Sequence, residues 1–278
     1  IYTPTHTLSL HDALPIFDKS DTEGLWLKWG DEDLVFELMH KIAYREGFGD
    51  LLAEGPIRFA KKIGKDAEEY LTQTRGLETN IRDPRARWDV WTFGGLINPR
   101  GGDHLRVQAS VENYKNPCPK GEYIYEPGLP HKVLDKVDIL DEWKKKIFDY
   151  KNNTTNIPYM AASAQDHMNI VNSLGICIRP PVLWSLGPKM FSKIMSALVG
   201  IDYSPEDIRK AGEKITNICR LFNANAGEKR EDLKFGPKYY SQPINGIKLN
   251  KIRINEVVDK YCEARGWDPK NAMPSFKK

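Results

Sequence analysis

The chain has 278 residues and a formal net charge of +3, with 40% hydrophobic and 28% charged residues. This composition is typical of a globular protein with one or two hydrophobic cores. The small net charge does not indicate binding to nucleic acid or to a membrane surface. Its four cysteines are scattered singly without a C-x-x-C pair, which argues against a zinc ribbon or disulfide framework and favours a reduced, cytoplasmic setting.

Residues 1–17 do not resemble the start of a folded domain. They contain no initiator Met, no basic n-region and no sustained apolar stretch of the kind that a signal peptide needs. The stretch from Thr7 to Ile16 resembles a translated sequencing adapter. We therefore expect 1–17 to be a non-native segment and the fold to begin at Asp18.

Two helices are predicted near the beginning of the fold. Asp31 is a suitable N-cap, apolar residues recur at helical spacing after it, and Gly47 is a suitable stop. A second helical pattern runs from Asp50 to Gly64, where Pro56 predicts a kink or a restart. The two segments together predict a helical hairpin.

The rest of the chain alternates between irregular and helical stretches. Glycine and proline interrupt 76–102 and 103–140, so both are predicted to be loop-rich, and functional residues concentrate on loops. Ser204 and Pro205 predict a helix start, followed by an apolar face of these residues: Ile208, Ala211, Ile215, Ile218 and Phe222. A further helix is predicted from Asn255 to Gly266. With no βαβ alternation or strand periodicity, the sequence predicts a mainly α fold.

A short polar turn follows the predicted helix 160–171 and carries Cys177. The sequence Arg179-Pro180-Pro181 then prevents any helix, because proline lacks an N–H group and biases its predecessor to extended geometry. One interpretation is a glycine C-cap at Gly175 beside a buried structural cysteine. The other is a turn that holds an anionic ligand or a metal-bound thiolate.

Several motifs resemble, in the same order, those of the aldehyde ferredoxin oxidoreductase family of tungsten enzymes. The turn 172–177 resembles that family's D-S-x-G-L-C motif, and the other matches are these: 43–55, Arg75-Gly76-Leu77-Glu78, Asp83-Pro84-Arg85, 100–106 and Arg265-Gly266-Trp267. The resemblance covers nearly everything from Asp18 onward. It implies irregular helical domains like domains 2 and 3 of such an enzyme, with 18–110 as part of domain 2 and 111–278 as domain 3.

His104 lies in a Gly-Gly-Asp-His-Leu-Arg setting. The two glycines allow close backbone approach to a ligand, Arg106 offers a phosphate-binding fork, and an imidazole passes protons near neutral pH. A structural histidine under a loop is the alternative. The resemblance implies that His104 lies beside the tungsten as a proton donor or partner of the substrate oxygen, and that Arg106 pairs with a pterin phosphate.

The resemblance also implies roles for the turn that ends in Cys177. Cys177 would be the last ligand of a [4Fe–4S] cluster, whose other three cysteines belong to an N-terminal C-x-x-C-x-x-x-C run that this chain lacks. The turn itself would bind the tungsten or molybdenum bispterin cofactor through these residues: Asn172, Ser173, Leu174, Gly175 and Ile176. Asn172 stands where the family generally has Asp, so an acceptor is kept and a negative charge is lost.

The implied activity is the oxidation of aldehydes to carboxylic acids with ferredoxin as electron acceptor. The alternative within the family is the catalytic subunit of a class II benzoyl-CoA reductase acting on an aryl-CoA, because 88–102 and the loop after Arg106 look more like that branch. The alternative of another class is an inactive helical binding or scaffold module. The partners expected are ferredoxin, the N-terminal half of the same enzyme and a second copy in a homodimer.

The resemblance makes a spatial prediction as well. His104, Arg106 and the 172–177 turn should face one concave surface that is open on the side of the N-terminal half, and this should leave an unusually large apolar face exposed. The other cysteines should lie elsewhere: Cys118, Cys219 and Cys262.

Overall fold

The computed structural model describes residues 17–79, 83–109, 137–151, 154–178 and 186–275. Most of the predicted adapter segment, Cys118 and the sequence Arg179-Pro180-Pro181 lie outside the described residues. Phe17 is described, and its ring packs 5.3 Å from Phe59 and 6.2 Å from Phe48, measured between ring centroids. Phe17 therefore belongs to the fold, one residue before the predicted beginning.

The described residues form ten α-helices, which confirms the prediction of a mainly α fold. Their bounds, in chain order, are α1 Glu32–Tyr44, α2 Phe48–Ala53, α3 Pro56–Ile63, α4 Val90–Ile97, α5 Asp141–Ile147, α6 Ile157–Ser173, α7 Pro188–Val199, α8 Pro205–Asn225, α9 Lys238–Ser241 and α10 Lys251–Arg265. Among these helices, none is both long and apolar enough to cross a membrane.

Three short antiparallel hairpins are the only sheets within the described ranges. They pair β1 Gln73–Thr74 with β2 Leu77–Glu78, β3 Phe148–Asp149 with β4 Thr154–Thr155, and β5 Trp267–Asp268 with β6 Met273–Pro274. In the first hairpin Gln73 lies opposite Glu78, and in the last Trp267 lies opposite Pro274. Each strand is only two residues long, so the helices form the architecture.

The predicted start and stop signals of the first helices are largely those observed. The Asp31 carboxylate accepts a hydrogen bond from the Leu34 amide at 3.1 Å, which caps α1. α1 ends at Tyr44, and its C-cap Arg45 has a left-handed φ of 55° that closes the helix before the predicted stop at Gly47. Pro56 begins α3, so the second helical pattern restarts there as predicted.

The stretch 76–102 contains a helix where the sequence predicts loop. Asp89 and Thr92 form a capping box at the N-terminus of α4, and Gly94 and Gly95 lie inside the helix. A Cβ on Gly94 would lie 2.9 Å from the Cβ of Val107. The glycine therefore allows helix and loop to pack closely, and the gain in packing outweighs its poor helix propensity.

Helices α6 and α8 pack against each other, and apart from Ile208 the buried residues of α8 are not those that the hydrophobic pattern marks. The predicted apolar face of α8 is only partly buried, since Ile218 and Phe222 are exposed, and the buried positions follow a different spacing: Ile208, Gly212, Thr216 and Arg220. At the contact, the Asn169 amide of α6 donates to the Gly212 carbonyl at 3.1 Å and to the Thr216 hydroxyl at 2.8 Å.

The largest apolar cluster joins residues of α4, α5, α6 and α10 with the hairpin β5–β6. Tyr261 lies at its centre, with edge-to-face ring contacts to Phe93 at 5.9 Å and Trp267 at 5.6 Å. Helix α10 begins at Lys251, where Asn250 caps it, four residues before the predicted Asn255, and it ends at the predicted Gly266. This cluster takes residues from both sides of position 110.

Candidate functional site

The turn after α6 is a glycine-stopped helix end. Gly175 has a φ of +66°, its amide donates to the Asn172 carbonyl at 3.2 Å, and the Ile176 amide donates to the Val171 carbonyl at 3.1 Å. This is the Schellman pattern, in which glycine takes the left-handed position and the last helical carbonyls are satisfied. The amides of Gly175 and Ile176 are thus used by the helix itself, and we assign them no anionic ligand.

The side chains of the turn divide into anchors and exposed groups. Leu174 and Ile176 are half-buried and pack on the apolar cluster that contains Phe191. Asn172 is exposed, and its Nδ2 donates to the Met168 carbonyl at 2.7 Å, which leaves its oxygen as an acceptor. The anchors hold the backbone while the polar side chains remain accessible.

Cys177 is exposed, so the interpretation of a buried structural cysteine is wrong. Earlier in the same turn, the Ser173 hydroxyl donates to the Asn169 carbonyl at 2.8 Å and so binds back to the last turn of α6. Cys262 differs: it is buried in α10, and burial raises the pKa of its thiol to about 11. Cys219, on α8, is half-buried. Of these three cysteines, Cys177 is the accessible one.

His104 is buried beneath its loop, with 7% of its surface exposed. Its imidazole stacks on the indole of Trp91, with ring centroids 4.5 Å apart and planes 11° apart. Trp91 belongs to α4, so a helix of the core fixes the plane of the imidazole. The hydrophobic pattern of 88–102 does not identify Trp91 as this partner, because the contact depends on the close packing of α4 against the His104 loop.

The loop before His104 is shaped by its own polar groups. Asp103 accepts from the Leu105 amide at 2.8 Å and from the Arg100 side chain at 2.8 Å, and its carbonyl accepts from Asn98 Nδ2 at 3.0 Å. Gly102 has a φ of +70°, and a Cβ there would lie 2.9 Å from the Glu78 carbonyl oxygen. The glycine at 102 is thus needed for packing against β2. The sequence predicts instead that it allows the backbone to approach a ligand.

A largely buried ionic cluster holds the loop that precedes His104. Arg75 donates to the Asn98 carbonyl and pairs with Glu228, and Arg220 pairs with the second oxygen of Glu228 at 2.6 Å. Burial and the neighbouring Arg220 lower the pKa of Arg75 to about 10. Asn223 adds a hydrogen bond to the Pro99 carbonyl at 2.6 Å. Sequence reasoning missed this cluster, because its members are distant along the chain.

Arg106 is exposed, as a residue that binds a phosphate of a second molecule would be. A cavity is lined by Gln108 and Asp166, and neither His104, Arg106 nor Cys177 belongs to the described lining. That His104, Arg106 and the 172–177 turn share one concave surface therefore stays a prediction. Helix α4, which precedes the His104 loop, does pack on α6, which precedes the 172–177 turn.

The donor set of the turn fits one part of a cofactor site. In the described part of the chain, no group of three or more His, Cys, Asp or Glu side chains is arranged to hold a metal ion. An exposed single thiol fits the role of one cluster ligand completed by cysteines from elsewhere, because a [4Fe–4S] cluster takes four thiolates. The accessible oxygen of Asn172 fits an acceptor for pterin N–H groups.

The family model described as "Aldehyde ferredoxin oxidoreductase, domains 2 & 3" matches residues 14–278. The tungsten-containing aldehyde ferredoxin oxidoreductase of Pyrococcus horikoshii is 30% identical over 258 residues, which cover 90% of this chain and 36% of that protein. The aliphatic sulfonate oxidoreductase, WOR-like subunit, of Pyrococcus furiosus is 34% identical over 271 residues, which cover 91% of this chain and 35% of that protein.

Among solved structures, the fold is similar to that of the active site complex BamBC of benzoyl coenzyme A reductase in complex with 1,5-dienoyl-CoA. The TM-score is 0.70 at 23% identity, and the match covers 96% of this chain and 41% of the other. The chain thus spans between 35% and 41% of the length of these relatives. The chain belongs to the aldehyde ferredoxin oxidoreductase family and corresponds to its domains 2 and 3.

Proposed function

We propose that this chain is the C-terminal part of a tungsten-bispterin, iron–sulfur oxidoreductase that converts aldehydes to carboxylic acids. The observation that carries the proposal is the exposed Cys177, presented by an anchored helix-end turn within a motif of the family. The reaction takes an aldehyde and water to a carboxylic acid, two protons and two electrons, with oxidised ferredoxin as the electron acceptor. When bound, the tungsten (or molybdenum) bispterin group supplies the two-electron chemistry.

The residues of this chain would bind, orient and transfer protons. Cys177 would contribute one thiolate to the [4Fe–4S] cluster, and Asn172 would accept hydrogen bonds from the pterin. Arg106 would pair with a pterin phosphate through its guanidinium group. His104 would hold a proton at the substrate oxygen, with its ring plane set by Trp91.

The proposal includes partners outside this chain. The match covers only 36% of the Pyrococcus horikoshii enzyme, and this supports an N-terminal half that provides the remaining cluster cysteines. We propose ferredoxin as the electron partner and a homodimer as the assembly, in the cytoplasm. The alternative is an inactive helical scaffold. In that case the protein purified from its source will contain neither tungsten nor iron.

A second candidate is the catalytic subunit of a class II benzoyl-CoA reductase. It is favoured by 88–102, where the buried Trp88 and Phe93 precede the His104 loop. The two candidates differ in substrate and in the direction of electron flow. Assays of the complete enzyme with aldehydes plus oxidised ferredoxin, and with benzoyl-CoA plus a low-potential donor, separate them.

The His104→Asn variant of the complete enzyme tests the role of the imidazole. We expect the kcat for aldehyde oxidation to fall by about 10²–10⁴-fold with tungsten content unchanged, because general acid–base groups contribute on that scale. The matched control is His40→Asn on α1, where the exposed histidine stacks on Tyr44 and lies 3.8 Å from a Glu46 carboxylate oxygen. Unchanged kcat in His104→Asn, or an equal loss in the control, would remove His104 from the mechanism.

A further inference from the structure

A cavity of about 50 Å³ lies among α5, α6, α7 and α8 and the segment after His104. Its walls are largely apolar and include these side chains: Leu140, Trp143, Met160, Ile170, Phe191 and Ile208. A volume of this size holds about three or four water-sized groups. A ligand of roughly three to five non-hydrogen atoms would therefore fill it, whereas an aromatic ring would not enter.

Gln108 provides the first polar feature of the cavity. Its side chain is 1% exposed and lines the cavity, and neither its Oε1 nor its Nε2 has a hydrogen-bond partner among the described residues. A buried primary amide without partners is unfavourable, because both its donor and its acceptor have lost water. The side chain therefore offers a donor and an acceptor to whatever occupies the cavity.

Asp166 provides the second polar feature. Its Oδ1 pairs with Arg265 and accepts from the Thr216 hydroxyl at 3.2 Å, whereas its Oδ2 has no hydrogen-bond partner and lies 3.5 Å from Arg209 Nη1. Asp166 and Arg209 both line the cavity. The Oδ2 atom of Asp166 is thus a second hydrogen-bond acceptor near the cavity.

The charges around this polar end disfavour an anion. Arg209 also pairs with Glu206 at 2.8 Å and Glu213 at 2.9 Å. With Asp166 and Arg265, the group contains three carboxylates and two guanidinium groups. The cavity lining adds the Asp138 carboxylate and the His167 imidazole, so carboxylates remain in excess of guanidinium groups. A small carboxylate would add to this charge, so an uncharged ligand is favoured.

We propose that this cavity binds a small uncharged carboxamide or a close isostere, with its short apolar part against the aliphatic walls. The ligand's carbonyl would accept from Gln108 Nε2, and its N–H groups would donate to Gln108 Oε1 and Asp166 Oδ2. This gives hydrogen bonds to the three buried atoms that lack them among the described residues. The site goes beyond the proposed oxidoreductase function, because it uses none of the residues assigned there.

Titration of the chain with ¹³C-methyl-labelled acetamide, acetone and acetate, followed by NMR, tests the proposal. Acetamide should saturate one site with a Kd no tighter than about 40 µM, the limit for four non-hydrogen atoms, and should bind at least about tenfold tighter than the other two. Equal binding of acetone, or no saturation by acetamide up to about 100 mM, would overturn the proposal. So would ordered waters at Gln108 that acetamide fails to displace in a crystal soak.

Two variants locate the site. Gln108→Leu should weaken acetamide binding about tenfold and raise the melting temperature of the free protein, because the unpaired amide is gone. Ala164→Leu, which fills the cavity from α6, should abolish binding independently of Gln108. The matched control is Gln242→Leu, a half-buried glutamine outside the cavity lining, which should bind acetamide normally. Normal binding in Ala164→Leu would contradict the placement of the ligand.

Discussion

At the scale of single residues, two of the motifs that carry the family resemblance serve to join distant parts of the chain. Arg85 binds Asp83 through Nε at 3.0 Å and Nη2 at 2.6 Å, and it also donates to the Gln242 carbonyl at 2.6 Å. Arg265 pairs with Asp166 and donates to the Ala162 carbonyl at 2.9 Å. Both guanidinium groups are buried, so these arginines are structural.

The cysteines give a residue-scale prediction, which concerns reactivity. Iodoacetamide at pH 8 should modify Cys177 rapidly and Cys262 hardly at all, because one thiol is exposed and the other is buried with a pKa of about 11. Peptide mapping by mass spectrometry measures both sites in one sample. Faster labelling of Cys262 than of Cys177 in the native protein would contradict the structure.

The same thiol predicts a pH dependence of stability. The pKa of Cys262 is raised above its ordinary value, so the native state holds the proton longer than the unfolded chain does. The free energy of unfolding should therefore fall as the pH rises from about 9 through about 11. Cys262→Val, which carries no ionisable group, should lose this contribution to the slope in urea titrations. An identical slope in the variant would show that other groups cause it.

At the scale of elements, the contact between α6 and α8 holds the helix that precedes the 172–177 turn. Gly212 sits against the Asp166 carbonyl, with no room for a Cβ. Close approach at this glycine lets Asn169 reach the backbone of α8 at 3.1 Å. This backbone contact explains why the buried face of α8 is centred on Gly212 and Thr216. The predicted apolar face of α8 lies beside it.

Gly212→Ala therefore makes an element-scale prediction. Alanine is the better helix former by about 1 kcal/mol, yet the added methyl group should push α6 and α8 apart and destabilise the fold by about 2 kcal/mol net. Urea unfolding followed by circular dichroism measures the change. The control is Ala211→Ser on the exposed side of the same turn, which should change stability by less than about 0.5 kcal/mol. A stabilised Gly212→Ala would show that the helices are not in close contact there.

The elements that the sequence predicts best are those with local causes. Asp31, the Ser204–Pro205 start and the glycine at 175 act through hydrogen bonds and dihedral angles within a few residues, and each is observed. The sequence does not predict helix α4, because the glycine at 94 inside it is explained only by contact with the distant Val107. The exposure of Cys177 was equally beyond local reasoning, since it depends on how Leu174 and Ile176 pack.

At the scale of the whole molecule, helix α1 presents apolar side chains to solvent. Only Leu34 of this helix is buried, while Phe36 is 69% exposed and Met39 60% exposed. Trp26 and Trp29, just before α1, are exposed as well. Such a concentration of large apolar side chains is typical of a surface that another protein segment covers.

The double variant Phe36→Lys/Met39→Lys tests this interpretation. Because neither side chain is buried, the free energy of unfolding should change by less than about 1 kcal/mol. Binding of a hydrophobic dye should fall, and sedimentation velocity should show less self-association of the isolated chain. The control, Phe59→Lys in the buried part of α3, should instead unfold the N-terminal helices. Similar destabilisation by both changes would place the α1 side chains in a core.

The central claim is that the 172–177 turn contributes a cluster ligand in a tungsten oxidoreductase, and electron paramagnetic resonance of the complete enzyme tests it most directly. In the reduced enzyme, Cys177→Ser should remove or alter the [4Fe–4S] signal, because serine replaces a thiolate. Cys219→Ser, at a half-buried thiol on α8, should leave the signal intact. An unchanged signal in Cys177→Ser, with the same g-values and spin count as the parent enzyme, would contradict the assignment.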